Sequence, residues 1–311
     1  MKRSLVLVCA SLLASCVSAP QQPTSKLQIA LTIDDLPLHA PYPPGDTPDS
    51  VAAGVSGALK GLPAYGFVNA HWVTDRPDTA RVLPAWRAAG LSLGNHGWTH
   101  RHLSEMTIDQ FERELVRNEA VLARISGGSD WHWFRYPFLD EGKDEQRRAA
   151  ARAILAKHGY KIAAVTMDFS DWAWTAPYAR CSAAKDDNGV AELERMYVQA
   201  ATEGIAFARE LSRKVYGRDI PYVVLLHESP FEARMLPRLI ELYRSAGLRF
   251  VNLPDAERDP AYADQTNPSL PAEPKGLEGK AIARRIALPT RTDFSAALAA
   301  ICPGGPTASI P

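Results

Sequence analysis

Short apolar or β-branched runs alternate along this chain with longer segments whose apolar residues recur at steps of three and four. Residues 27–33, 66–73, 91–94, 133–135, 162–167, 222–226 and 248–252 have the length and side-chain types of strands. Residues 108–125, 146–158 and 236–246 carry helical periodicity. Strands separated by helices are expected to run parallel, because a parallel pair needs a crossover that a helix supplies. Seven such strands predict an α/β fold built as a distorted, closed or nearly closed (β/α) barrel. An open doubly wound sheet is the alternative.

Composition narrows the picture. With 311 residues and 46% hydrophobic content, the chain can bury one large core. Lysine plus arginine and aspartate plus glutamate balance at 35 each, so no bulk charge favours nucleic acid or an anionic membrane as a partner. The N-terminus differs from the rest: Lys2 and Arg3 precede an apolar run over residues 5–13, too short to span a bilayer. That run ends Leu13-Ala14-Ser15-Cys16, which resembles a bacterial lipoprotein box, while the competing site Val17-Ser18-Ala19 is followed by Pro20. The expected organisation is a signal peptide over 1–16 with lipidation at Cys16, a flexible tether over 17–26, and a catalytic domain over 27–255. An insertion at 173–219 is helical from about 190 to 215, and a tail over 256–311 forms a strap or is partly disordered. The lipid on Cys16 would be the protein's membrane contact, in the periplasm or cell envelope. Cys9 leaves with the signal, so Cys181 and Cys302 remain. An oxidising compartment would join them and a reducing one would leave two thiols.

The polar residues fall where chemistry would need them. Asp34 and Asp35, His96, Arg135, Asp168 and His227 each sit at or just beyond the C-terminal end of an expected strand. In a parallel barrel those ends share one rim, where active sites are built. An Asp pair after a strand is by itself as readily a helix cap or a solvated turn. Joined to His96-Gly97-Trp98-Thr99-His100 it reads differently, because one Asp and two His supply three ligands to a divalent cation and leave a position open for water. The second Asp is then free to take a proton. A His pair four apart suits one helical turn, with both imidazoles on one face.

Taken together, these motifs resemble the polysaccharide deacetylases, the NodB homology domain of carbohydrate esterase family 4, over about residues 27 to 255. They appear in the family's order: Thr32-Ile33-Asp34-Asp35, His96-Gly97-Trp98-Thr99-His100, Arg135-Tyr136-Pro137-Phe138, Asp168-Phe169-Ser170-Asp171-Trp172 and Leu225-Leu226-His227. The resemblance implies a metal-dependent deacetylase acting on an acetylated glycan. Asp35, His96 and His100 would hold the metal, zinc first and cobalt, nickel or manganese as alternatives. Asp34 would be the general base, oriented by Arg135, and His227 the general acid, with Asp168 as its charged partner. The Phe138 backbone amide would donate to the oxyanion, and Trp172 with Leu225 would form the acetyl slot. Gly97 departs from the family's Ser or Thr and puts the bracing of the histidine loop in question. The insertion would shape specificity. His39, His71, His102, His132 and His158 read as ordinary structural histidines. Two other readings stay open: hydrolysis of a non-sugar amide on the same fold, and a catalytically silent glycan-binding lipoprotein. Oligomeric state is left open.

Overall fold

A computed structural model describes residues 27–271 and 276–303 of the chain. The signal peptide, the tether and Cys16 lie outside the described residues. The fold is an open parallel sheet curled into a distorted (β/α) half-barrel: β1 (Gln28–Leu36), β2 (Ala64–Val68), β3 (Ser92–Asn95), β4 (Trp133–Phe134), β5 (Lys161–Ile162), β6 (Tyr222–His227) and β7 (Arg249–Phe250). The sheet order is β5-β4-β3-β2-β1-β6, with β7 pairing the first residues of β1. An isolated parallel bridge between Met167 and Val224 joins the stretch after β5 to β6, bringing the two ends of the sheet together.

Strand β1 sits at the centre and is buried on both faces from Ile29 onward, as a near-continuous apolar run in a parallel sheet should be. Ile29, Leu31 and Ile33 alternate with Ala30, Thr32 and Asp34. The second set faces the barrel interior, where Thr32 Oγ1 donates to the Val224 carbonyl at 2.6 Å and Asp34 meets Arg135. Interior room is made by Gly94: a Cβ there would come within 2.5 Å of the Phe67 ring on the neighbouring strand. The Arg135 guanidinium rests 4.8 Å from the centre of that ring.

The second strand ends at Val68 rather than continuing to residue 73, and a short helix, His71–Asp75, follows. Asn118, fully buried in the helix Ile108–Ile125, binds the backbone at that end. Its Nδ2 donates to the Val68 carbonyl at 2.6 Å and to Asn95 Oδ1 at 2.8 Å, and its Oδ1 accepts from the Ala70 N–H at 2.9 Å. The Val68 carbonyl also accepts from the His96 N–H at 3.0 Å, and the Ala70 N–H beyond it goes to the Asn118 side chain instead of to a neighbouring strand. The insertion forms two helices, Thr175–Ala184 and Asp187–Tyr216. Cys181 and Cys302 are bridged, with Cα atoms 5.1 Å apart, and the bridge clips the tail to the insertion. The tail carries short helices, among them Gly276–Ala283 and Ser295–Ala300. Arg152 anchors its first part, donating from Nη2 to the carbonyls of Asp264, Asn267 and Leu270.

Candidate active site

At the C-terminal ends of β1 and β3, three ligand groups converge. Asp35, His96 and His100 each offer an atom within 4.8 Å of the others. His96 Nδ1 lies 2.8 Å from the Arg135 carbonyl, an acceptor only, so the proton sits on Nδ1 and the Nε2 lone pair points to the site. Asp35 Oδ1 lies 3.4 Å from His96 Nε2 and 3.2 Å from His100 Nε2, buried and without a hydrogen-bond partner. A buried carboxylate oxygen left unpaired between two imidazole nitrogens is costly unless a cation joins them. The donor set suits zinc or another first-row divalent ion, so the residues present fit a metal. Burial opposes ionisation of Asp35, yet His100, His39 and His96 around it outweigh that and hold its carboxyl well below the usual range. Burial lowers His100 to about 4, against the pull of Asp35, and keeps it neutral. Both ligands are in the form that binds metal.

The two histidines are not on a helical turn. They flank an irregular loop after β3, with Gly97 at φ +74° and His100 at φ +51°. Gly97 answers its own departure from the family pattern, since its left-handed backbone favours glycine and the bracing comes from elsewhere. Asn69 Nδ2 donates to the His96 and Gly97 carbonyls at 2.7 and 3.2 Å, and the Gly97 N–H donates to Asn95 Oδ1 at 2.9 Å. The Thr99 N–H and hydroxyl both donate to Glu114, at 2.6 and 2.8 Å.

Beside the ligands, Asp34 is buried and faces Arg135, whose Nη1 lies 3.3 and 3.2 Å from its two oxygens. Arg135 is fully buried, and its remaining donors go to the Ala163 carbonyl and Thr32 Oγ1 at 2.9 and 3.1 Å. Removing either partner would strand a buried charge, at a cost of about 3–5 kcal/mol. Asp34 is therefore a fixed carboxylate aimed at the metal side, 3.6 Å from His96 Nε2.

His227, at the end of β6, stands on the other side. Its partner is Asp171 and not Asp168: His227 Nδ1 lies 2.8 Å from Asp171 Oδ1, and its N–H donates to Asp171 Oδ2 at 2.7 Å. Asp168 Oδ1 instead accepts from the Ser170 N–H at 2.6 Å. Ser170, at φ +61°, turns the chain so that the buried Asp171 reaches His227. Burial raises the Asp168 carboxyl above its ordinary range. For His227, burial disfavours the imidazolium, but the charge and hydrogen bond of Asp171, helped by Asp35 and Asp34, raise it to about 10. His227 keeps its proton at neutral pH.

Phe138 and Trp172 are about half exposed, at 53% and 48%; Phe138 ends the third strand-end motif and Trp172 follows Asp171. Phe138 adopts φ +57° and Leu139 φ +53°, consecutive left-handed residues that push the Phe138 ring out to stack on His102 at 3.8 Å and to flank His100 at 4.3 Å. His102 thus braces an aromatic of the site. Leu225 is buried two residues before His227, on the same face of β6. Sequence reasoning missed three residues. Asp171 was within a quoted motif but was given no role, the part of His227's partner having gone to Asp168. His39 lies 2.6 Å from Asp35 Oδ2, its only sequence signal being its place four residues after the Asp pair. Glu228, fully buried, has its carboxyl pushed up by burial and by Asp35.

A family model described as "Polysaccharide deacetylase" matches residues 21–163. Over those residues the chain matches the polysaccharide deacetylase family. Solved structures extend the match beyond that range. A CE4 family pseudoenzyme from Bacillus anthracis superposes with a TM-score of 0.53 at 16% identity, over 75% of this chain and 66% of that one. A mutant of the same protein with restored enzymatic activity gives 0.53 at 18%, over 75% and 68%. A structure described as a T48 deacetylase with substrate gives 0.50 at 18%, over 75% and 92%. These likenesses establish the fold. A pseudoenzyme and its reactivated mutant share that fold, so activity in this chain has to be argued from its own side chains.

Proposed function

We propose that the protein is a metal-dependent hydrolase that removes acetyl groups from an acetylated poly- or oligosaccharide, most naturally one containing N-acetylglucosamine. The observation that carries this reading is the orphaned Asp35 Oδ1 between two imidazole Nε2 atoms, with a fixed carboxylate on one side and a protonated histidine on the other. A divalent cation on Asp35, His96 and His100, zinc first, would polarise the acetyl carbonyl and make bound water acidic near neutrality. Asp34, held in place by Arg135, takes the proton from the attacking water. His227 gives its proton to the departing sugar nitrogen, or to oxygen if the acetyl is an ester, while Asp171 holds the imidazole in place. The half-exposed Phe138 and Trp172 rings suit the apolar faces of sugars, and Leu225 with Trp172 is assigned the acetyl methyl. The Phe138 backbone amide is assigned the oxyanion. The N-terminal pattern supports an exported lipoprotein anchored through Cys16, with the cell envelope as its place of work.

The test is acetate release by the metal-loaded chain from Val17 onward, on acetylated chitooligosaccharides, peptidoglycan fragments and xylan, with and without a chelator and beside Asp34→Asn. Acetate that requires metal and disappears in the variant supports the reading. Metal retained with no acetate from any glycan would point to a non-sugar amide or to a silent binder.

A further inference from the structure

His39 follows a turn over residues 35–38, closed by the Leu38 N–H on the Asp35 carbonyl at 2.8 Å, and that turn brings its ring back over the carboxylate. The two side chains are 10% and 11% exposed and meet at 2.6 Å, Nδ1 to Oδ2. Asp35 is itself held at φ +66°, a conformation rarely populated by residues with a Cβ, so its placement depends on what surrounds it. The two carboxylate oxygens have separate fates. Oδ2 is taken by His39, and Oδ1 is left facing His96 and His100 without a partner. A carboxylate with both oxygens free can rotate and chelate a cation through both, whereas one with an oxygen tied presents a single oxygen.

We infer that His39 is a positioning residue of the metal centre, which donates from Nδ1–H to Asp35 Oδ2 and thereby restricts Asp35 to one-oxygen ligation through Oδ1. The inference rests on the metal reading of the proposed function and adds to it the mode of ligation. The cluster of ligand atoms within 4.8 Å comprises Asp35, His96 and His100, so His39 acts on a ligand rather than as one. Its role parallels that of the Arg135 carbonyl, which fixes the ring of His96. The opposite face of the site is also within its reach, since the His39 and His227 rings lie 5.1 Å apart, centre to centre. The same imidazole therefore spaces the metal side from the acid side.

The experiment uses the full chain, stripped of metal, as wild type, His39→Ala, His39→Phe and His39→Gln. Zinc affinity is read by competition with a chromophoric chelator, ligation by the visible absorption of the cobalt(II) form, and folding by the melting of each metal-free protein. His39→Ala is expected to bind zinc about 10- to 100-fold more weakly and to give altered cobalt bands as Asp35 becomes free to turn. His39→Phe keeps a ring against His227 but has no donor, so it should weaken zinc by a similar factor and carries the test if the alanine variant does not fold. His39→Gln, with an amide N–H able to reach Oδ2, should recover part of the affinity. Wild-type zinc affinity and an unchanged cobalt spectrum in a folded Ala or Phe variant would overturn the inference while leaving the proposed function standing. A wild-type chain that binds no zinc would overturn both.

Discussion

The two sides of the site are held by different parts of the molecule. On the metal and base side, Asp34, Asp35, His96 and Arg135 come from strand ends within the first half of the chain and are locked to one another and to backbone carbonyls. On the acid side, His227 depends on Asp171, which opens the turn leading into the helices of the insertion. Those helices are fixed by burial and by the Cys181–Cys302 bridge to the tail. The first side is rigid because its polar groups satisfy each other inside the barrel. The second is rigid because a separate layer is packed and clipped over it. One half is thus set by the barrel, and the other borrows its order from outside it.

That contrast can be broken from either side. The largest expected effect is on the barrel side: Asp34→Asn should cut turnover by about a hundred- to ten-thousand-fold, the usual worth of acid-base help, while zinc binding measured by chelator competition stays intact. Loss of metal along with activity would show that Asp34 and Asp35 do not divide the labour as assigned. On the acid side, Asp171→Asn removes the charge that raises His227. The alkaline fall of kcat/KM should move to lower pH, because His227 then gives up its proton nearer its ordinary value of 6.5 than 10. The sign for stability is the same. A histidine raised in the folded state contributes stability that is complete below about 6.5 and lost as pH rises through about 10, so the metal-free variant should be flatter across that window in urea unfolding. An unchanged pH profile would remove Asp171 from the acid side. The smallest effect on chemistry is expected from Cys181→Ser with Cys302→Ser. It should cost about 2–4 kcal/mol of stability and leave zinc affinity unchanged. A loss of zinc affinity in that variant would erase the distinction between the two sides.

The strand cores were legible because burial on both faces leaves a plain apolar signature, and the rim was legible because ligand chemistry demands particular residue types at strand ends. Strand limits were less so: β2 stops where Asn118, a residue fifty positions away, captures its backbone. The His96–His100 spacing suggested a helical turn, but spacing alone does not distinguish a helix from a loop with two left-handed residues. Asp168 and Asp171 show the same limit. Which of two acids in one motif reaches His227 depends on the turn at Ser170, and a turn leaves no periodicity to read. His39 was invisible for a similar reason, since it sits in an irregular stretch between Pro37 and Pro41 with no pattern around it.

The seam where the sheet curls back on itself has a consequence for where this molecule ends as a folding unit. The stretch between β5 and β6 is held by groups beyond the last strand: Glu257 Oε1 accepts from the Ala164 N–H at 2.8 Å, and the Tyr262 and Thr166 hydroxyls meet at 2.8 Å. Thr166 Oγ1 in turn accepts from the Val223 N–H at 2.9 Å. A boundary drawn at residue 255, where the strand pattern stops, would cut through this closure. Glu257 and Tyr262 thus belong to the structure that closes the sheet, and a piece of the chain ending at 255 would lose both of these contacts.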